Sequence, residues 1–364
     1  MSRATTTPPL LALLQGRAGA TMAPSDWQTI KAQAEAHALV PLLWTQYESV
    51  LPPGLAAAWR PQMHRLASNN VLLEFETQTV LTGLAHQGIP VVELKGTGLA
   101  RRLYGSPAAR EVADVDLLVA EADLPGAERW LVAAGWERDE RARSAREARR
   151  RHHHWMFRHE GRALPVVLEL HWNLSPPSRF QLAPADIWSH IREAPGGEWR
   201  LAPELELVGL ALHLFQHNFA PLCRVIDLAN FVRITAAHLD DARLETLCTN
   251  RTRRRLITLA VLVATEALAR PLPALFERWA DRRIRLASRV LSPPALVAHP
   301  LFDYSRYYLA SLILGEGRVV SDRAVRSLLY PSGWERAPVW QRLLHPVRLI
   351  GRYGRRLWYG MADK

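Results

Sequence analysis

Six consecutive residues, Asp114-Val-Asp-Leu-Leu-Val119, constrain this chain more than any other segment. On a β-strand, residues i and i+2 point to the same face. Asp114 and Asp116 therefore share one face, while Val115, Leu117 and Val119 share the other and pack on a core. Two ionised carboxylates that close repel each other, so a strand presenting them needs a cation, a proton or open water. A hard divalent cation, Mg²⁺ (or Mn²⁺), meets that need because it takes carboxylate oxygens together with substrate phosphates. The plain alternative is an exposed polar face near a strand end.

Around this run the rhythm of the chain changes twice. Residues 1–88 read as helical: 27–47 and 56–86 carry apolar residues at three- and four-residue spacing, separated by Pro52, Pro53 and Gly54. From Ile89, short β-branched runs (89–94, 115–119 and 166–172) alternate with helical stretches (99–104 and 124–134), the second closed by Gly135. From Pro184 the helical pattern returns over 202–217, 224–238, 254–269 and 301–313. The expectation is an α+β chain. A small mixed β-sheet core over 89–183 sits between an N-terminal helical region, 1–88, and a larger C-terminal helical region, 184–364.

A second strand strengthens the metal reading. In Val166-Val-Leu-Glu-Leu-His-Trp172, Val167, Glu169 and His171 share a face opposite Val166, Leu168, Leu170 and Trp172. A Glu among so many apolar neighbours needs a partner. If this strand lies beside the Asp114 strand, three carboxylates converge on a two-metal site of the kind used in phosphoryl-type transfer. An ion pair with one of the many arginines is the bland reading of Glu169, and a satisfied, partly buried imidazole that of His171. Upstream, Val92-Glu-Leu-Lys-Gly-Thr-Gly98 reads as a strand running into a Gly-containing turn and a helix. Gly96 and Gly98 permit close backbone approach, and N–H groups at a helix N-terminus favour phosphate oxygens. Thr97 offers a hydroxyl, and Lys95 a compact ammonium beside a phosphate or an ion pair at the strand end.

These pieces resemble the DNA polymerase beta-like nucleotidyltransferase superfamily. The run LKGTGLARRLYGSPAAREVADVDLLV, followed by LELHWNL, is similar to an uncharacterised bacterial nucleotidyltransferase family. HLFQHNFAPLCRVIDLANFV is similar to that family's later helical motif. The resemblance implies an Mg²⁺-dependent enzyme that moves a nucleoside monophosphate from an NTP to an acceptor hydroxyl or phosphate and releases pyrophosphate. It implies that Asp114, Asp116 and Glu169 hold the metals. Gly96 and Thr97, with Lys95, would hold the nucleotide phosphates, and Arg110 would neutralise triphosphate charge. His171 and Asp227 are candidates for a supporting role around that site. Kinase-like phosphotransfer and a catalytically silent binding module are the alternatives. A small molecule, peptide or protein is the favoured acceptor, and nucleic acid the lesser one.

Composition bears on that last point. The formal net charge is +11, but only Lys31, Lys95 and Lys364 among 46 basic residues are lysines, a skew that reads as compositional. Four histidines, His152, His153, His154 and His159, invite a zinc hypothesis, yet three consecutive residues on a strand cannot all face one ion. Cys223 and Cys248 lack metal-ligand spacing. The apolar run 10–14 is too short for a secretory signal, and no run reaches the roughly 18 residues of a membrane span. The sequence reads as cytoplasmic. The Arg-rich stretch 138–151 reads as a solvated face, without stacking aromatics among its arginines. Changing Arg146, Arg149 and Arg150 to Ser is expected to leave weak polyanion binding nearly unchanged in fluorescence anisotropy across a salt series. Tight binding with a log–log salt slope of about −0.9 per contact, abolished by the triple change, would make nucleic acid the first acceptor to test.

Overall fold

A computed structural model describes residues 7–17, 22–139, 152–161, 165–177, 180–194, 197–298 and 304–315. The Arg-rich stretch beyond Asp139 and the basic, aromatic segment from Trp334 lie outside the described residues. The architecture is α+β, as expected: a seven-stranded mixed sheet with helices before and after it. Among the described residues no helix is long and apolar enough to cross a membrane.

Among the described residues four α-helices precede the sheet: α1 (Pro9–Leu14), α2 (Pro24–Ala36), α3 (Val40–Tyr47) and α4 (Pro53–His86). Each has a Pro in its first turn, where the missing N–H has no helical partner to lose. The periodic stretch 27–47 is two helices. Ala38 takes a positive φ of 54°, and Leu39 N–H closes back on Ala34 C=O at 2.9 Å, so α2 ends before Pro41 starts a new turn.

The strands are β1 (Val91–Glu93), β2 (Val115–Val119), β3 (Glu137–Arg138), β4 (His154–His159), β5 (Val166–His171), β6 (Ile191–Glu193) and β7 (Trp199–Leu201). Their order is β3-β4-β5-β2-β1-β7-β6. β2 runs antiparallel to β1 and parallel to β5, which itself pairs antiparallel with β4. All five residues of β2 are buried, as befits a central strand. The sheet extends past residue 183, into sequence whose pattern reads as helical. β6 and β7 are three-residue strands, too short to show a period, and β7 pairs in parallel with β1.

Helices α5 (Gly96–Tyr104), α6 (Leu124–Ala133) and α7 (Pro184–Trp188) are interleaved with the strands. After β7 come α8 (Pro203–Gln216), α9 (Leu222–Thr235), α10 (Asp241–Leu247) and α11 (Arg251–Ala267). The described residues end with α12 (Ala274–Trp279), α13 (Arg282–Val290), α14 (Pro293–Ala298) and α15 (Tyr304–Ile313). The sheet's two faces feed two cores. Val115, Leu117, Val119, Leu168 and Leu170 pack with Val80 and Leu84 of α4 and Leu131 of α6. Val92, Leu94 and Leu118 belong to the larger core made with the later helices.

Helix α4 also fixes the loop that leads into β2. Asn70, 1% exposed, donates from Nδ2 to the carbonyls of Pro107 (2.8 Å) and Arg110 (2.9 Å), and Asn69 donates to that of Val112 (3.1 Å). Buried carbonyls of an irregular loop need such donors. The same helix carries Gly83 where Trp130 of α6 crosses it: a Cβ there would stand 1.8 Å from the indole ring. Gly83→Ala is therefore expected to lose about 1–3 kcal/mol by overpacking, against at most about 1 kcal/mol of gained helix propensity. Urea denaturation measures the difference, and an unchanged midpoint would mean the α4–α6 contact is looser than the structure shows.

Candidate active site

The parallel pairing of β2 with β5 sets Asp116 directly beside Glu169 and Leu118 beside His171. The antiparallel pairing of β5 with β4 then sets His154 across from His171. Because alternate residues share a face, Asp116, Glu169, His171 and His154 line one side of the sheet. Lys95 joins them from the end of β1, where Leu94 N–H bonds to Asp116 C=O at 3.0 Å. Over these residues lies a cleft of about 300 Å³ whose opposite wall is α8 and the start of α9.

Asp116 is the centre of the arrangement and is 2% exposed. Lys95 Nζ stands 2.8 Å from its Oδ1, and His171 Nε2 stands 3.0 Å from the same oxygen and 3.2 Å from Glu169 Oε2. Burial pushes the Asp116 carboxyl up, but Lys95 and His171 outweigh it and hold it far below the usual carboxylate range. In Glu169, likewise, burial is overcome by the bond from His171 and by His154, and the carboxyl is lowered. Burial alone would lower His171, yet its bonds to Asp116 and Glu169 raise it. Asp114, at the entry to β2, behaves oppositely. Burial, then the neighbouring Asp116, raise its carboxyl to about 6.

The cleft thus gathers Asp114, Asp116, Glu169, Lys95, Arg110 and His171. Ligating atoms of Asp116, Glu169 and His171 lie within 4.8 Å of one another; Asp114 borders the cleft outside that compact set. Arg110 is held by Asp227 of α9, Nε to Oδ2 at 2.8 Å, and Asp227 also accepts from Tyr104 Oη at 2.5 Å. Asp227 is therefore one step behind the cleft and fixes the guanidinium. Gly96 and Thr97 do not line the cleft. Both are buried in the first turn of α5, where Gly96 takes φ +78°. The turn's Gly98 N–H is bonded to the chain's own Glu93 Oε1 at 3.0 Å, and a Cβ at 98 would stand 2.3 Å from that carboxylate.

The sequence reading missed the other wall. His213, Gln216 and His217 on α8 and at its end, and Arg224 on α9, face the carboxylates across the cleft. Burial, first, and nearby cations lower the two imidazoles, His217 to about 4 and His213 well below its ordinary value. Their four-residue spacing on one helix was the available signal. His153 and His154 also reach the cleft, whereas His159 packs on Trp136 with ring centroids 5.3 Å apart.

The chain's relationship to known proteins is at the level of family. Residues 23–269 match the family described as uncharacterised nucleotidyltransferase, and the chain belongs to that family. Neither the curated proteins nor the solved structures gave a match.

The two aspartates should respond to pH with opposite signs. An acid whose folded pKa lies above its unfolded value favours folding at low pH and becomes a cost as pH rises through the folded value. Metal-free Asp114→Asn is thus expected to melt above the natural chain at about pH 8, with the gain shrinking toward about pH 4. Asp116→Asn is expected to melt below it at neutral pH, because Lys95 and His171 lose their buried partner. Differential scanning calorimetry in chelator decides; equal shifts of the same sign in both variants would contradict the assignment.

Proposed function

We propose that the chain moves a nucleoside monophosphate from an NTP to an acceptor hydroxyl or phosphate, on a DNA polymerase beta-like fold. The observation that carries this reading is the adjacent pair Asp116–Glu169 on parallel strands, with Asp114 at the same cleft, in a nucleotidyltransferase family. We take residues 89–183, extended by β6 and β7, as the catalytic unit, with the helices of residues 1–88 before it and those after β7 behind it.

Asp114, Asp116 and Glu169 would hold Mg²⁺ or Mn²⁺. The donor set fits: three carboxylates supply hard oxygens, and the most buried of them already has a cation, Lys95 Nζ, drawn to 2.8 Å. Bound there, a divalent pair would clamp the attacking and leaving oxygens and offset the charge that builds between them. Lys95 and Arg110, cations that line the cleft, would meet the triphosphate. Arg110 keeps a fixed direction because Asp227, itself held by the Tyr104 hydroxyl, accepts from its Nε. Gly96 and Thr97 act by shaping the turn that delivers Lys95, since both lie beneath the cleft surface. The acceptor oxygen forms a bond to the α-phosphorus, the bond from that phosphorus to the β-phosphate oxygen breaks, and pyrophosphate leaves. The acceptor's proton passes to solvent or to a carboxylate of the trio, and Glu169, 3.2 Å from His171 Nε2, would share it with that imidazole. A small molecule, peptide or protein is the acceptor class we favour.

Mass spectrometry of acceptor pools incubated with each NTP and Mg²⁺ tests the reading. The expected outcome is a nucleoside-monophosphate adduct plus pyrophosphate, reduced at least about a hundredfold in Asp116→Asn. In the same variant Mg²⁺ should lose most of its effect on the thermal midpoint, since a cation that binds the folded state stabilises it by mass action. Transfer of the γ-phosphate with release of a nucleoside diphosphate would establish the kinase-like alternative. Tight NTP binding without any turnover would establish a silent module.

A further inference from the structure

Three histidines crowd one end of the cleft: His153 and His154 where β4 begins, and His171 where β5 ends. Their ring centroids are 4.9 Å (His153–His154), 5.2 Å (His153–His171) and 5.0 Å (His154–His171) apart. One ring nitrogen of each lies within 4.8 Å of one from each of the others. Successive strand residues point to opposite faces, but the chain bends at His153 and becomes a strand only at His154, so both rings border the cleft.

Hydrogen bonding does not account for this packing. Nδ1 of His154 and Nδ1 of His171 are buried without a partner. Buried polar atoms are ordinarily paired, and leaving them unpaired costs free energy. A divalent ion of borderline softness removes that cost, because imidazole nitrogen is its natural ligand. His171 also has the connectivity of a metal-bound histidine. Its Nε2 meets Asp116 and Glu169 at 3.0 and 3.2 Å, the carboxylate contact that typically orients a ligating imidazole, and Nδ1 is left over.

We propose that His153, His154 and His171 form a transition-metal site of the zinc class beside the carboxylates. Its ligands are nitrogen, where those of the Mg²⁺ site are oxygen, so the two select different ions. Metal–nitrogen bonds of about 2.0–2.1 Å require the three rings to close in on the ion. With three imidazole ligands one coordination position is left for water or an oxygen of a bound substrate, while Glu169 Oε1, 3.8 Å from His154 Nε2, stands on the far side of that ring. The proposal does not depend on nucleotidyl transfer, and its readouts are binding and spectroscopy.

The experiment loads metal-stripped full-length protein with Co²⁺ or Zn²⁺ in a large excess of Mg²⁺. One equivalent should remain bound, the Co²⁺ form should absorb with the intensity of a four-coordinate centre, and X-ray absorption of the Zn²⁺ form should show imidazole scattering. His153→Gln and His154→Gln should each weaken Co²⁺ binding by at least about tenfold, whereas Asp114→Asn should leave it unchanged. An oxygen-only shell in the natural protein, complete displacement by Mg²⁺, or unaltered binding in the histidine variants would overturn the site. The X-ray arm uses the natural chain and decides even if a variant fails to fold.

Discussion

The buried Asp116 carboxylate is the constraint around which the rest of the structure is arranged. A charge that is 2% exposed persists only where partners are supplied, and breaking a buried pair by removing one member costs about 3–5 kcal/mol. The fold supplies two from different strands: Lys95 from the end of β1 and His171 from β5. Each depends on strand order. The β1–β2 register places Glu93 opposite Leu117 and so brings Lys95 to the Asp116 edge, while the parallel β2–β5 register places Glu169 and His171 alongside. A one-residue slip of either strand would turn these side chains to the opposite face. The apolar face of β2, packed on α4 and α6, prevents that slip.

The same arrangement is costly where Asp114 is concerned. Its carboxyl, raised to about 6 by burial and by Asp116, gives up stability near neutral pH that an amide would keep. Sites that must receive a cation commonly carry such self-repulsion, since the ion relieves it on binding. The loop that holds Asp114 and Arg110 is correspondingly braced from behind by Asn69 and Asn70 of α4, which bind its carbonyls. Stability is thus spent at the cleft and supplied by the long helix beneath it.

Much of this was legible in the sequence because it is local. The alternation in 114–119 and 166–171 gives the face on which each carboxylate lies, and the helices of 53–86 and 203–216 follow from apolar spacing. What escaped was non-local or too short to carry a period. β4 has a clean alternation, with Trp155 and Phe157 inward, but the histidines around it invited a metal reading that took in His159, which points to Trp136. β6 and β7 show no period in three residues and gain their meaning only from pairing with each other and with β1. The turn at Gly96 was recognised, yet the occupant of its Gly98 N–H was not: Glu93, five residues before Gly98, lies in the same segment and takes that bond. A glycine turn before a helix has to be checked against the chain's own carboxylates before its amides are counted as free for a ligand.

The helices after the sheet are part of the site and cannot be regarded as an appendage to it. Asp227 of α9 reaches Arg110 on the β2 loop and Tyr104 at the end of α5, so one buried carboxylate joins three separate elements. Arg102 of α5 pairs with Glu206 of α8 on the neighbouring side. These ion pairs cross from the strand-bearing segment to the helical one, which fixes the width of the cleft between the carboxylates and His213, His217 and Arg224. Of the two pairs, Arg110–Asp227 is the buried one, where a lost partner is expensive, whereas the Arg102 guanidinium is exposed and its pair contributes less. Two of the residues that line the cleft, Arg110 and Glu206, are thus the same ones that tie the strand-bearing segment to the later helices.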